Sequence, residues 1–169
     1  MLKIYLTDLA AYNNGKFLGK WITLAISHEE LQSELNEVLQ EGEEYFITDY
    51  EWEELSFFKV EEFSNIFKIN EDLQQLEELE EYELKSVKFL LDYGFADSIE
   101  EAINNIDNVI IYENSTMEDM AYNLIQEIYN IDNLPSLISN HIDYQGVARD
   151  LEINGNFYEE GENIYEYLN

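Results

Sequence analysis

The sequence has a large excess of negative charge, which limits the folds and functions that it can have. Its 169 residues include 38 aspartates and glutamates but only 8 lysines and arginines, so the formal net charge is -30. Chains with high charge and few apolar residues stay disordered, because they bury too little surface. Here 46% of the residues are hydrophobic, 14% are aromatic and only one is proline. We therefore predict a folded protein whose charge opposes folding by self-repulsion and needs another explanation.

The same composition excludes several classes of protein. Cysteine is absent, which excludes a disulfide framework, a thiolate nucleophile and a cysteine metal site. No apolar run approaches the roughly 18 to 20 residues of a membrane span, and the N-terminus is too polar for a signal peptide, so we expect a cytoplasmic protein. Anionic membranes and nucleic acids would repel this chain, and its scattered lysines form no basic patch. We expect no membrane contact and no direct nucleic-acid contact.

The N-terminal part of the sequence predicts a small antiparallel sheet with one helix. Ser27 and Glu30 form a capping box at the start of the helix, and Gly42 is expected to close it. Leu31, Leu35, Val38 and Leu39 have the spacing of a buried stripe. The predicted elements are strands at 2–6 and 17–26 around a tight turn at 12–16, a helix at 28–40 and a third strand at 45–50.

The remaining sequence predicts a helical section followed by a second mixed section. Apolar residues recur with helical period from about residue 60 to Gly94, and Phe63 is one of those expected in a stripe. The next predicted elements are a helix at 98–105, a strand at 108–113, helices at 117–129 and 134–142, a further helical turn at 143–150 and a terminal hairpin from 151–158 and 164–168.

These elements predict an α+β fold arranged as an elongated rod of three domains. Residues 1–59 form the N-terminal domain of sheet plus helix, and residues 60–106 form a helical middle domain. Residues 107–169 form a C-terminal α+β domain. No flexible linker separates them.

The sequence offers little for catalysis. His28 and His141 are the only histidines, and neither has a neighbour that would complete a catalytic pair or triad. Motifs for calcium, di-iron, zinc or phosphate binding are missing. We therefore expect no enzymatic activity, no cofactor and no metal.

The distribution of carboxylates indicates a different role. Between Glu29 and Glu83 there are 20 carboxylates against two lysines, Lys59 and Lys68. Solvated helices usually place lysine four residues from glutamate, which adds about 0.2 to 0.5 kcal/mol per pair. Duplex DNA carries one charge per roughly 1.7 Å of axis, so 30 charges correspond to about 50 Å of duplex. The pattern therefore favours imitation of phosphate and binding in a basic DNA-binding groove.

We define the acidic surface as the set of carboxylates expected to carry this role. Two other interpretations share the composition: an acidic module that sequesters another basic protein, such as a CRISPR nuclease, a histone-like protein or a polymerase, and adaptation to salt. The acidic surface consists of Glu29, Glu30, Glu34, Glu37, Glu41, Glu43, Glu44, Glu51, Glu53, Glu54, Glu61, Glu62, Glu77, Glu78, Glu80, Glu81, Glu100, Glu101, Glu118 and Asp119.

Three segments resemble one family. They are IYLTDLAAYNNGKFLGKWITL at 4–24, YFITDYE at 45–51 and LPSLISNHIDYQGVARDLEINGNF at 134–157. They are similar, in this order, to ArdA-type antirestriction proteins of conjugative plasmids and transposons. The signature elements present include Tyr12, Asn14-Gly15, Gly19, Trp21, Asp49-Tyr50-Glu51, Leu134-Pro135, Asp143-Tyr144 and Arg149-Asp150-Leu151. Residues 60–105 match the family in character more than in sequence.

The resemblance implies a bent, rod-like homodimer of three-domain subunits, joined through the C-terminal domain. Such a dimer would mimic bent B-form DNA and fill the DNA-binding groove of type I restriction and modification enzymes. Residues 131–142 contain few acidic groups, and we expect an apolar patch there to form the dimer interface. The apolar patch consists of Leu134, Leu137, Ile138 and Ile142.

Overall fold

The computed structural model describes residues 1–52, 59–129 and 131–168. Two members of the predicted acidic surface, Glu53 and Glu54, therefore lie outside the described residues. Within the described ranges, no helix has the length and apolar character needed to cross a membrane.

Two compact units make up the chain, Met1–Leu84 and Lys85–Asn169. The division falls inside one helix, α4, which covers Glu81–Asp92. Each unit contains a three-stranded antiparallel sheet together with helices, which confirms the predicted α+β class. The division into three domains and the elongated arrangement stay predictions.

The first unit has the predicted sheet, with strand order β2-β1-β3. In β1 the side chains of Leu2, Ile4 and Leu6 point to one side and are fully buried. They pack against the apolar stripes of α2 and α3 in a single core. The elements are β1 at Leu2–Asp8, α1 at Leu9–Asn13, β2 at Gly19–Thr23, α2 at His28–Val38, β3 at Tyr45–Trp52 and α3 at Ile66–Glu77.

The connection between β1 and β2 differs from the predicted tight turn. Asp8 caps a short helix, α1, and Gly15 with φ of 77° then reverses the chain towards β2. The prediction that Gly42 closes α2 is also wrong, because α2 ends at Val38. Gly42 instead allows a close approach, since a Cβ there would lie 2.7 Å from the Cβ of Ala10.

Asn70 of α3 fastens this helix to the segment before α2. Its side-chain oxygen accepts hydrogen bonds from the N–H groups of Ala25 and Ile26, both at 3.0 Å, and its amide donates to the Ile26 carbonyl at 2.8 Å. Ala25 has a φ of 67°, an unfavourable conformation for a residue with a Cβ. The buried amide therefore satisfies backbone groups that this strained turn exposes.

The predicted helical section contains α3, α4 and, after the cap at Ser98, α5 at Ile99–Asn104. Phe63 was predicted to join an apolar stripe, but it precedes α3 and is 69% exposed. Its spacing fits the helical period only if the helix extends back to residue 60, whereas Asn65 caps α3 and starts it at Ile66.

The described residues of the second unit form the sheet β4-β6-β5, most of α4, the helix α5 and three further helices. Met117, Met120 and Ala121 of α6 pack on Ala148 of α8 and on Ile164 of β6. The elements are β4 at Val109–Tyr112, α6 at Met117–Tyr129, α7 at Ser136–Ser139, α8 at Tyr144–Asn154, β5 at Phe157–Glu160 and β6 at Asn163–Tyr167, with short 3-10 helices at Ile106–Asn108 and Ile131–Asn133.

Two C-terminal boundaries differ from the predictions. Residues 151–154 were predicted to begin a strand, but they continue α8, because Leu151 extends the stripe of Val147 and Ala148 that packs on α6. The predicted helix at 134–142 is reduced to the four residues of α7. The terminal hairpin itself is present as β5 and β6.

Candidate functional site

The described members of the acidic surface are on the outside of the protein. All of them are exposed as residues except Glu34, which is half-buried, and the side chains of Glu34 and Glu41 are 28% and 29% exposed. None belongs to a core stripe, since the buried positions of α2 and α3 are apolar apart from Asn70. These carboxylates are therefore accessible to a partner without any change in the packing of the core.

Lysines that are distant in sequence contact two carboxylates of α2 and one in the loop that follows it. Lys20 of β2 forms ion pairs with Glu34 and, at 2.7 Å, with Glu37, while Lys16 pairs with Glu41. The hydrogen bonds from Lys20 to Glu34 and then to Glu37 raise the pKa of the lysine above its usual value. No local pattern in the sequence indicates these pairs, which partly neutralise the C-terminal end of α2.

First helical turns hold a large share of the acidic surface. Carboxylates there interact favourably with the positive end of the helix dipole. However, none of the helices in the described ranges has a basic residue in its last turn, where the dipole would favour one. The helix dipole therefore explains the acidic residues in first turns, but it does not explain why the last turns of the described helices lack basic residues. The first-turn members are Glu29 and Glu30 of α2, Glu81 of α4, Glu100 and Glu101 of α5, and Glu118 and Asp119 of α6.

Two members of the acidic surface also cap helices. Glu101 accepts a hydrogen bond from the N–H of Asp97 at 2.8 Å. Asp119 accepts from the Thr116 hydroxyl at 2.7 Å and from the Thr116 N–H at 2.9 Å, and these bonds lower the pKa of Asp119. Asp119 and Thr116 cap each other, because the Asp119 N–H donates to the Thr116 hydroxyl. Both carboxylates thus have a structural role in addition to their charge.

The fold brings two acidic segments together at the edge of β3. Glu43 and Glu44 lead into this strand, and Glu62 lies beside it, because the Ile47 N–H donates to the Glu62 carbonyl at 2.7 Å. Glu51 is exposed near the end of the same strand. These residues, together with Glu61, form a group that comes from two separate stretches of sequence.

The apolar patch predicted for dimerisation is only partly exposed. Leu137 and Ile138 of α7 are 78% and 54% exposed, whereas Leu134 and Ile142 are half-buried. Other exposed apolar side chains of this unit lie outside the predicted patch, among them Tyr129 at the end of α6 and Ile153 on α8.

Asp8 is a buried carboxylate that sequence reasoning did not single out. It is fully buried and accepts hydrogen bonds from the N–H groups of Ala11 at 2.9 Å, Gln40 at 3.0 Å and Glu41 at 2.8 Å. These bonds, first among them that from Ala11, lower its pKa although burial opposes the charged form. Asp8 thus caps α1 and holds the loop after α2 against the end of β1.

Replacing Asp8 by asparagine should destabilise the protein by about 2 to 3 kcal/mol, because the amide nitrogen faces donors that lose their acceptor. A carboxylate whose folded-state pKa is lowered contributes stability above its unfolded pKa and loses it as pH falls through the folded value. The stability gap between the parent and Asp8→Asn should therefore narrow below about pH 4. Urea unfolding of both proteins from pH 7 to pH 3 measures the difference in their free energies of unfolding. A difference that does not change with pH would contradict a stabilising role for the charge of Asp8.

No group of three or more histidine, cysteine or carboxylate side chains able to hold a metal ion occurs within the described part of the chain. His28 packs on Phe67, with ring centroids 4.9 Å apart, and His141 is exposed.

Fold and surface together define an acidic α+β protein that presents carboxylates from several helices and strands. The family model described as antirestriction protein (ArdA) matches residues 4–165, nearly the whole chain. The chain therefore belongs to the ArdA antirestriction protein family, which confirms the resemblance drawn from the sequence. Family membership implies an antirestriction function through inhibition of restriction enzymes. The comparison with curated proteins gave no match.

Proposed function

We propose that this protein inhibits type I restriction and modification enzymes by occupying their DNA-binding groove as a mimic of B-form DNA. The observation that carries the proposal is that exposed carboxylates occur on both units, while no helix of the described residues has a basic residue in its last turn. DNA-binding grooves are basic and are adapted to a regular array of negative charge.

The spacing of the carboxylates supports this assignment. Side chains three or four residues apart on a helix lie about 5 to 6 Å from each other, which is comparable to neighbouring phosphates. Glu30, Glu34 and Glu37 follow this spacing along α2, and Glu41 lies in the loop after it. Because these positions are fixed by the fold, the array is rigid before a partner binds.

The proposal includes a homodimer of elongated three-domain subunits. Two copies joined through the C-terminal unit would extend the array of negative charge and so cover a longer stretch of groove. Leu137 and Ile138 supply exposed apolar area for such an interface. An apolar contact is needed because two bodies of charge -30 repel each other.

Competition with DNA tests the function directly. Titrating the protein into a purified type I enzyme bound to fluorescent duplex DNA should displace the DNA at a near-stoichiometric ratio. The affinity should fall steeply with salt, because the basic groove exchanges counterions for carboxylates as it does for phosphates. A ternary complex in which enzyme, DNA and protein all bind at full affinity would contradict the proposal. Displacement from an unrelated basic DNA-binding protein at the same concentrations would favour a general acidic module instead.

A further inference from the structure

The outer face of the first sheet carries aromatic side chains that charge mimicry does not explain. Strand register places Tyr5 of β1 opposite Trp21 of β2 on one side and opposite Asp49 of β3 on the other. Since side chains alternate along a strand and Ile4 and Leu6 point into the core, these three residues share the face turned away from it. We name Tyr5, Trp21 and Asp49 the aromatic platform.

The packing of the aromatic platform fixes its rings. Tyr5 and Trp21 contact each other edge to face, with ring centroids 5.4 Å apart and an interplanar angle of 75°. The Tyr5 ring lies across Gly19, where an added Cβ would come within 2.5 Å of it. Trp21 nevertheless stays 40% exposed. The indole is thus held by a neighbour while part of its surface remains open to a ligand.

The surroundings of the aromatic platform are anionic. Asp49 is exposed next to Tyr5, and Glu51 is exposed on the same face, one pair further along the strand. Lys3 lies opposite Glu51 on the same face, and Asp49 is the carboxylate opposite Tyr5. One oxygen of Asp49 accepts a hydrogen bond from the Tyr50 N–H at 2.8 Å, so its other oxygen is the one offered to a ligand. Lys20 belongs to the other face, where it pairs with Glu34 of α2.

An aromatic ring next to a carboxylate is the combination that recognises a guanidinium group. Arginine stacks on the face of tryptophan or tyrosine, and its planar N–H groups donate to a carboxylate at the same time. A lysine ammonium is compact and strongly hydrated, so it gains less from the ring. Tryptophan, tyrosine and arginine are also the residues that most often dominate the energy of protein interfaces.

We propose that the aromatic platform binds an arginine side chain of the basic protein partner, between Trp21 and Asp49. This inference rests on the proposed function, because it takes the partner to be a basic DNA-binding groove. It adds a contact that depends on the chemistry of the partner's side chain and not only on its charge. The first sheet would thus anchor the complex, while the acidic surface supplies long-range attraction.

Binding of nona-arginine and nona-lysine to matched variants tests the platform. Trp21→Leu keeps apolar cover over Tyr5 but removes the indole, so it should weaken nona-arginine binding about threefold to fivefold and leave nona-lysine binding unchanged. Trp21→Phe should restore part of the loss. Tyr50→Ala is the control, because Tyr50 is 51% exposed on the same strand as Asp49 but pairs with Ile4, whose side chain is on the other face. Calorimetry gives the affinities, and thermal melts confirm that each variant is folded.

The same variants separate the platform from the proposed function. Suppose that folded Trp21→Leu binds nona-arginine and displaces DNA from a type I enzyme as well as the parent does. Arginine binding by the aromatic platform is then refuted, while the proposed DNA mimicry stands. If the parent displaces no DNA but Trp21→Leu still selectively weakens nona-arginine binding, the platform stands and the proposed target is wrong. Equal losses of affinity for nona-arginine and nona-lysine would overturn the proposed preference of the aromatic platform for arginine. Should Trp21→Leu fail to fold, Asp49→Asn makes the same comparison of the two peptides.

Discussion

Replacing the five acidic-surface residues of α2 and its C-terminal loop by glutamine should weaken inhibition of a type I enzyme roughly thirtyfold or more. The five are Glu29, Glu30, Glu34, Glu37 and Glu41. Their removal changes the formal net charge from -30 to -25. It also leaves Lys16 and Lys20 without the carboxylates that they contact, so their positive charges are no longer offset by these pairs. A basic groove would then be attracted less strongly to this part of the protein.

This quintuple variant should remain folded. The buried stripe of Leu31, Leu35 and Val38 is unchanged. The helix does lose the favourable first-turn charges of Glu29 and Glu30 and its ion pairs, whereas relief of repulsion acts in the opposite direction. We therefore expect a small loss of thermal stability, in contrast to a simple repulsion argument, which would predict a gain.

A second set of five substitutions is the matched control for the first. Glutamine at Glu43, Glu44, Glu51, Glu61 and Glu62 removes the same charge from the region around β3. If inhibition depends on charge summed over the surface, both sets should weaken it strongly and flatten its dependence on salt. Glu29→Gln alone should change affinity less than about fivefold. A single folded variant that abolishes inhibition while its neighbours are silent would indicate a localised site.

Introducing charge into the apolar patch should convert the proposed dimer to monomers. In Leu137→Glu combined with Ile138→Glu, each subunit would place two unpaired carboxylates in an apolar interface, which should raise the dissociation constant at least about 100-fold. Both side chains are exposed, so the fold of the subunit should survive. Sedimentation equilibrium over a range of protein concentrations measures the change.

Ile153→Glu provides the control for the dimer prediction. Ile153 is 76% exposed on α8 and lies outside the predicted patch, so this variant adds charge without changing the patch. Added salt should strengthen self-association of the parent by screening repulsion, and the same salt should weaken inhibition. A parent protein that stays monomeric at all concentrations and salt levels would refute the dimer.

Local signals in the sequence predicted most of the elements correctly. The caps at Ser27 and Ser98 and the mutual cap of Thr116 and Asp119 mark the starts of three helices. The misplacement of Phe63 follows from the local cap at Asn65, whereas two other failures depend on distant partners. The short helix α1 forms where Asp8 also binds the N–H groups of residues 40 and 41, and α8 continues where Leu151 meets α6.

Helical periodicity likewise predicted the outward positions of the α2 carboxylates but not what they contact. Exposure follows from helical spacing, since the apolar stripe fixes the opposite face. The pairs of Lys16 with Glu41 and Lys20 with Glu37 join residues 25 and 17 apart, so they require the placement of β2 beside α2. The aromatic platform requires the register of three strands. Neither arrangement leaves a periodic signal in the chain.

The hydrogen bonds of Asp8 also bear on conformational entropy. A free loop of charged residues would lose its freedom only when a partner bound, and that loss would reduce the affinity. Asp8 holds the backbone at Gln40 and Glu41, directly before Glu43 and Glu44, and the Leu9 N–H donates to the Glu44 carbonyl at 3.0 Å. The loop is therefore ordered during folding, so these exposed glutamates can meet a cationic surface with little further loss of entropy. One buried carboxylate thus prepares several exposed ones for association.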